Sequence, residues 1–443
     1  MNYDLLIKNG SCVLPSGIKI ADIAIKDGKI VDFGELDAKK ADKVIDAKNL
    51  HILPGMIDSQ VHFREPGLEH KEDLFHGTKA AVMGGITSIF EMPNTNPPTT
   101  SVEALQYKLN SAGKNAWCNY AFYMGGTPDP EIDWHKLEML EGCAGIKIFM
   151  GSSTGSLLVK DDEYLRNILK QATRRVAIHA EDENRLKERF HIAENGKDPK
   201  FHPIWRDEET AFLATKRIVT IAKELGKQIH VLHITSKKEL DFLSQHKDVA
   251  TVECLPQHLT FTSDDYYRLG TRLQMNPPIR EKIHQDALWH AIDVGVVDVL
   301  GSDHAPHTLE EKAKEYPASP SGMPGVQTIL PVMLNHVNEG RLTLTRLVDL
   351  MAISPARVFQ MVTKGRLVAG YDADITIVDM QKKYVVEDKD MKTKCGWTPF
   401  HGMKLQGKPV YTIIHGNIVM NNDELIGEPL GKPVQFIPTL KAL

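Results

Sequence analysis

The feature that most constrains this chain is an alternation repeated eight times: a short, apolar, β-branched run followed by a segment whose apolar residues recur at helical spacing. The runs are MIDSQVHF (56–63), TSIFEMP (87–93), NYAFYMGG (119–126), GIKIFMG (145–151), VAIHAED (176–182), QIHVLHITS (228–236), ATVECLPQ (250–257) and VDVLGSDHAP (297–306). Segments between them, such as EDLFHGTKAAVMGG (72–85), DEYLRNILKQATRR (162–175) and DEETAFLATKRIVTIAKELG (207–226), carry the helical period. Eight strand–helix units in series predict an α/β fold, a parallel (β/α)8 barrel of the TIM type. In that architecture chemistry gathers at the C-terminal ends of the strands. His62, Asn94, Lys147, His179, His233 and Asp303 each fall at or near the end of a different run.

The flanks have another texture. YDLLIKNG (3–10), ADIAIKDGKIVDFG (21–34) and KVIDAKN (43–49) read as short strands with Asn-Gly and Asp-Gly turns, and ADITIVD, KKYVV and VYTIIHGNIVM repeat the pattern after about residue 366. The expectation is one small β-sandwich domain built from residues 1–53 and 366–443, beside a barrel of residues 54–365. Five scattered cysteines without a Cys-x-x-Cys pair argue against a disulfide framework or a thiolate zinc site and for a reducing cytoplasm. A net charge of −5 without a basic run disfavours nucleic acid and anionic membranes, and no stretch approaches membrane-spanning length. A small-molecule substrate is the expectation that remains.

One histidine in an apolar strand is usually a hydrogen-bonded core residue. Several, with carboxylates, converging on one barrel mouth supply the nitrogen and oxygen donors that zinc accepts. Asp58, Gln60 and His62 alternate onto one face of their strand. Lys147 sits inside an apolar run, where burial favours the neutral amine; a neutral amine takes up carbon dioxide, and the resulting carbamate can bridge two metals as a carboxylate would. His230 and His233 are three apart, so strand parity lets only one face the barrel; His233, nearer the strand end, is the expected ligand and His230 the helix-facing residue. Asp303 closes the last run, where a carboxylate can touch a metal and hold a proton of attacking water.

The motifs HFREPG (62–67), MPNTNPP (92–98), GIKIFMG, HAED (179–182), HVLHITS (230–236), MNPPIR (275–280), GSDHAPH (301–307) and GYDADITIVD (370–379) together resemble the cyclic amidohydrolases of the amidohydrolase superfamily, the dihydroorotases in particular. The resemblance implies one or two Zn2+ ions per subunit. Gln60, His62 and Asp303 would hold the first, His179 and His233 the second, and carbamylated Lys147 would bridge them. It implies reversible, metal-dependent closure of N-carbamoyl-L-aspartate to L-dihydroorotate in pyrimidine biosynthesis, with Asp303 as the catalytic proton carrier. Arg64, Asn94, Asn276 and His307 would bind substrate, the guanidinium gripping its carboxylate. Ser153 and Thr154, in GSSTGSLLV (151–159), belong either to a lid over the ring or to a plain loop, and TLEEKAKEYPASPSG (308–322) reads as an exposed flap near the mouth.

Where the family has His-x-His, this chain has Gln60-x-His62. The amide coordinates and leaves a more labile first metal, or stands off and leaves the second dominant, or marks a chain that has lost catalysis. Retention of the other donors favours an active enzyme with a weakened first site. The rival readings are another cyclic amidohydrolase (hydantoinase, dihydropyrimidinase or allantoinase) and a non-catalytic scaffold. A homodimer is the expectation from family habit, and the scaffold reading would pair the chain with an aspartate transcarbamoylase.

Overall fold

The computed structural model describes residues 2–153 and 155–437. Eight parallel strands, Met56–Val61, Ile86–Glu91, Asn119–Gly125, Cys143–Phe149, Val176–His179, Ile229–Val231, Ala250–Cys254 and Val299–Leu300, pair in sequence order. Contact between Val61 and His304, with the His62 amide donating to the His304 carbonyl at 2.7 Å, joins the end of the series to its beginning. The eight runs expected from the sequence are these strands, and the barrel is closed.

Helices cover the outside, among them Leu74–Met83, Val102–Asn115, Asp162–Gln171 and Glu208–Leu225. Their starts follow from local chemistry: Asp73, Ser101 and Asp207 each accept a hydrogen bond from the amide three residues on, satisfying a donor that the first turn leaves open. Between helices and strands lies a continuous apolar layer that includes Ile89, Ile146, Ile178 and Val231. The inside is filled by Ile57, Phe90, Tyr123, Ala144, Ala177, Leu232 and Val299, with Phe359 and Phe436 stacked edge-on to Phe90. Small alanines on adjacent strands leave room for these rings, so the barrel interior is solid below its mouth.

Strands from both chain ends join a nine-stranded mixed sheet. His51–Pro54 links Tyr3–Leu14 to Ile375–Val385, pairing parallel with the first and antiparallel with the second. A core of its own, including Leu5, Ile23, Ile52, Ile375 and Ile413, lies against this sheet.

Two sequence expectations change. His230 is not helix-facing: it is fully buried in the barrel interior, its ring centroid 5.2 Å from that of Phe359 and its Nδ1 2.8 Å from Thr251 Oγ1. Parity misled because the regular strand stops at Val231, and a left-handed backbone at His233 (φ 39°) turns the second histidine back toward the mouth. Nor is the flap of residues 308–322 loosely exposed. Lys312 is buried within it and donates to the carbonyls of Gln274 (3.2 Å) and Pro320 (2.7 Å), and Tyr316 and Ser319 are buried as well.

Phe359 closes the N-terminal end of the barrel through contacts with three strands, so Phe359→Ala is expected to lower unfolding free energy by about 3–5 kcal/mol in urea denaturation.

Candidate active site

At the C-terminal mouth, Gln60, His62, Arg64, Asn94, Lys147, Ser153, His179, His233, Asn276 and Asp303 line one small cavity. Every site residue expected from the sequence is there except His307, which stands immediately behind Arg64, and Thr154, which lies outside the described residues. Three of them have backbones in the left-handed region that non-glycine residues seldom adopt: Arg64 (φ 63°), His233 (φ 39°) and Asp303 (φ 42°). Each follows the end of a barrel strand. The turn points a side chain into the mouth that a continuing strand would have sent elsewhere, a form of strain that collects at functional sites.

Two groups of donors face each other. On one side His62 Nε2 lies 3.1 Å from Asp303 Oδ1, and Gln60 Nε2 donates to the same oxygen at 3.0 Å. His62 is oriented from behind by Asn94, whose Oδ1 is 2.7 Å from Nδ1. On the other side His179 Nδ1 and His233 Nε2 are 3.1 Å apart. The opposite nitrogen of His179 is 2.9 Å from Glu181 Oε2, although off the line of a straight hydrogen bond. Arg206 grips both oxygens of Glu181, at 3.0 and 2.6 Å. Burial, offset in part by Glu181, lowers the pKa of His179; burial likewise lowers that of His62, where Asp303 opposes the effect, and both rings are neutral and able to offer a lone pair at neutral pH.

Lys147 lies between the groups. Its strand neighbour is Ala177, two residues before His179, and its Nζ stands 4.4 Å from the centroid of the Phe149 ring without a hydrogen-bond partner. Burial pulls its pKa down to about 7, against the attraction of Asp303 and Glu253. Beneath it Glu253 is pushed up to about 8 and Asp58 to about 7, again by burial. Asp58 Oδ1 accepts from the Ser302 amide at 3.0 Å and so anchors the segment leading to Asp303.

The donor set was tested against a divalent ion. Among the described residues Gln60 Oε1, Lys147 Nζ and His233 Nδ1 are buried without a hydrogen-bond partner, and His179 Nε2 has only the off-line contact with Glu181, an unusual concentration of unsatisfied polar atoms for one site. Among the described residues no three His, Cys, Asp or Glu side chains stand together in ligating geometry. The imidazoles and Asp303 form pairs, and completing either set needs the lysine or the glutamine. Neutral imidazoles, one carboxylate and a lysine poised to be neutral fit zinc.

Arg64 is buried, and among the described residues no carboxylate pairs with it directly; burial lowers its pKa to about 10, with Asp303, Glu91 and Glu311 opposing from farther off. Its Nε donates to the Pro306 carbonyl at 3.2 Å, its Nη2 is 3.4 Å from His307 Nε2, and its Nη1 has no partner. His307, lowered to about 3 by burial with Arg64 and Lys71 nearby, is neutral. Its Nε2 lies 3.0 Å from the Ser321 carbonyl, which makes Nε2 the protonated nitrogen and Nδ1 the acceptor for Lys71 Nζ, 3.1 Å away. Asn276 is held by His202, whose Nε2 donates to its Oδ1 at 2.9 Å.

Glu181, Arg206 and Lys71 had no assigned role in the sequence reading. Glu181 follows His179 by two residues, which was the one available signal; the ionic partners come from 25 and 240 residues away along the chain.

A model of the amidohydrolase family matches residues 51–419. The dihydroorotase of Pyrococcus furiosus is 37% identical over 417 residues, 93% of this chain and 92% of that protein; that of Pyrococcus abyssi is 35% identical, covering 93% and 94%. Among solved structures, an L-hydantoinase (dihydropyrimidinase) from Arthrobacter aurescens superposes with a TM-score of 0.92 at 32% identity, over 98% of this chain and 99% of that one. A dihydropyrimidinase from Brevibacillus agri gives 0.90 at 27% identity, over 96% and 97%.

The ionisation of Lys147 has a direct readout. Because its pKa is lowered, the neutral amine gains population as pH rises through about 7. Metal-stripped protein given 13C-bicarbonate is therefore expected to show a carbamate resonance that grows across that pH and is missing from Lys147→Ala; its absence from the parent protein would contradict the assignment.

Proposed function

Because the chain belongs to the amidohydrolase family, we propose that it works as a dihydroorotase, closing N-carbamoyl-L-aspartate reversibly to L-dihydroorotate. The observation that carries this reading is Arg64: a buried guanidinium whose Nη1 has no partner among the described residues and which no described carboxylate pairs directly, Asp303, Glu91 and Glu311 attracting it only from farther off. Burying such a cation unpaired is costly, and a ligand carboxylate bound bidentately would relieve it. Dihydroorotate carries a carboxylate off the ring, whereas an unsubstituted hydantoin or dihydropyrimidine does not. The fold likeness to hydantoinases is expected either way, since fold alone does not choose a substrate.

On this reading Gln60, His62, Asp303, Lys147, His179 and His233 would hold one or two zinc ions, with Lys147 as the carbamate. When bound, zinc supplies Lewis acidity at the scissile carbonyl and lowers the pKa of water. The chain's own residues do the rest. Arg64 and Asn94, with Asn276 on the ring edge, fix the substrate; the Pro306 carbonyl holds the guanidinium through Nε, and neutral His307 stands behind it without adding a second charge. In the hydrolytic direction Asp303 takes a proton from the attacking water and returns it to the ring nitrogen as its bond to carbon breaks. The hydroxyl remains on the carbonyl carbon as a new carboxylate, and the nitrogen leaves as a ureido NH2. Closure reverses these steps.

Glu181 supports the same site as a positioning residue, its Oε2 beside His179 Nε2 while Nδ1 faces His233. The proposal includes the division into residues 54–365 as catalytic barrel and residues 1–53 with 366–443 as supporting domain. It also includes a homodimer, read by light scattering. Association with an aspartate transcarbamoylase belongs to the scaffold alternative, which measurable turnover would remove. Among the described residues no helix is long and apolar enough to cross a membrane.

Turnover of dihydroorotate, followed by its ultraviolet absorbance with zinc present, is the primary test. Arg64→Ala is expected to lower kcat/KM by roughly 100-fold, about 2.7 kcal/mol, while leaving any slow hydrolysis of a neutral hydantoin unaltered. Equal loss on both substrates would remove the carboxylate-grip assignment. Gln60→His is expected to raise zinc retention during dialysis against a chelator, measured by mass spectrometry, because imidazole is a stronger zinc donor than an amide. Weaker retention in that variant would show that the glutamine is the better fit here.

A further inference from the structure

At the opposite end of the barrel from the catalytic mouth, an open cleft lies where the fourth, fifth and sixth strands begin. Arg174, Arg175, Lys227 and Arg357 all line it, and among the described residues no aspartate or glutamate does. These cations come from three different parts of the chain, so the grouping is a product of the fold and not of a basic run. The Glu138 carboxylate, which accepts from the Arg174 amide at 3.2 Å, and Asp298 attract these cations from outside the lining; in a protein whose overall charge is −5, four cations around one concavity still leave it net positive and receptive to an anion.

The partners of each cation show how much capacity is left open. Arg174 Nη1 donates to the carbonyls of Glu138 and Cys143, both at 2.6 Å, and its guanidinium lies 5.0 Å from the Phe436 ring; its Nε is buried and has no partner. Lys227 Nζ donates to the Ala172 carbonyl at 2.7 Å, and Arg357 Nη2 to Ser354 Oγ at 3.2 Å. These neutral acceptors hold the side chains without cancelling their charge. Arg175 makes no hydrogen bond or ion pair to any described residue. Burial lowers the pKa of Arg175, opposed by the more distant Asp298, while Arg357 lies near enough to add repulsion. Asp298 is already paired with Lys247.

We infer that this cleft is a second, non-catalytic site for a phosphate-bearing small molecule, bound by Arg174, Arg175, Lys227 and Arg357. Phosphate suits it better than a monocarboxylate, because a dianion or polyanion can accept from several guanidinium forks at once. Gln228 and Gln360, which line the cleft, would supply neutral hydrogen bonds to the rest of such a ligand. The site is separate from the grip on substrate, since none of its residues lines the catalytic cavity.

Isothermal titration of the full-length protein with inorganic phosphate, pyrophosphate and ATP tests this and distinguishes a bare phosphate from a phosphorylated metabolite. Pyrophosphate or ATP is expected to bind, with affinity falling as salt rises. Arg175→Ala/Arg357→Ala is expected to weaken binding at least roughly tenfold, or about 1.4 kcal/mol, while dihydroorotate turnover stays unchanged. Arg357→Gln, at an exposed position, gives a variant in which folding is not at issue and should show a smaller loss in the same direction. No binding by any of the three probes, or binding that both variants leave intact, would overturn the inference. The readout does not depend on the catalytic assignment, so failure here and failure of the dihydroorotase reading are separate results.

Discussion

An amine without a partner, enclosed by a barrel, sets the terms for everything around it. A charged Lys147 would sit in a desolvated site whose attraction to Asp303 and Glu253 does not offset burial, and its pKa accordingly falls to about 7. The surrounding groups follow the same logic. Glu253 and Asp58 are pushed toward their neutral forms, and the histidines are held neutral. A mouth built this way contains few fixed charges of its own, but many lone pairs and one amine ready to become an anion. That is a receptive environment for divalent cations, because the cation restores the balance that burial has removed.

The barrel provides what such a site needs from geometry. The first strand contributes Gln60 and His62 and four others one donor each, and the left-handed residues at Arg64, His233 and Asp303 turn side chains across the mouth just after the regular hydrogen bonding ends. The solid interior of Phe90, Tyr123, Phe359 and the small alanines prevents the mouth from collapsing into the barrel. Behind the first layer, Asn94 fixes His62, and Arg206 fixes Glu181, which stands beside His179. A displacement of any donor must therefore break an ionic or hydrogen-bonded support as well as move a side chain.

Most of the architecture was legible in the chain because it is periodic. Eight apolar runs with polar ends give a barrel and point to its mouth, and His62, Asn94, Lys147, His179, His233 and Asp303, singled out by that rule, all line one cavity there. What escaped was aperiodic. The parity argument for His230 and His233 assumed a strand that in fact stops at Val231. The 308–322 segment reads as polar and therefore exposed, yet Lys312 is drawn inside by two backbone carbonyls that composition cannot reveal. Arg206 and Lys71 act through partners far away in sequence, and the basic cleft at the other end of the barrel is assembled from segments around residues 174, 227 and 357 that have nothing in common along the chain.

Gln60 remains the departure with most chemical content, and its contacts bear on whether it excludes a metal. An amide has a donor end and an acceptor end, and here the donor end is committed: Nε2 points at Asp303 Oδ1. That leaves Oε1 turned away from Asp303, buried and unsatisfied. An orphaned carbonyl oxygen in such a place costs on the order of 1–3 kcal/mol unless a donor or cation meets it. Were the glutamine a purely structural replacement, the favoured arrangement would satisfy both ends within the protein. Instead the hydrogen bond to Asp303 orients the residue so that its oxygen is the free end, with the weakness of a neutral ligand but the placement of a useful one. On the proposed metal reading the substitution would soften the first position while preserving its shape, and the stronger nitrogen donors of His179 and His233 would carry the greater part of the affinity.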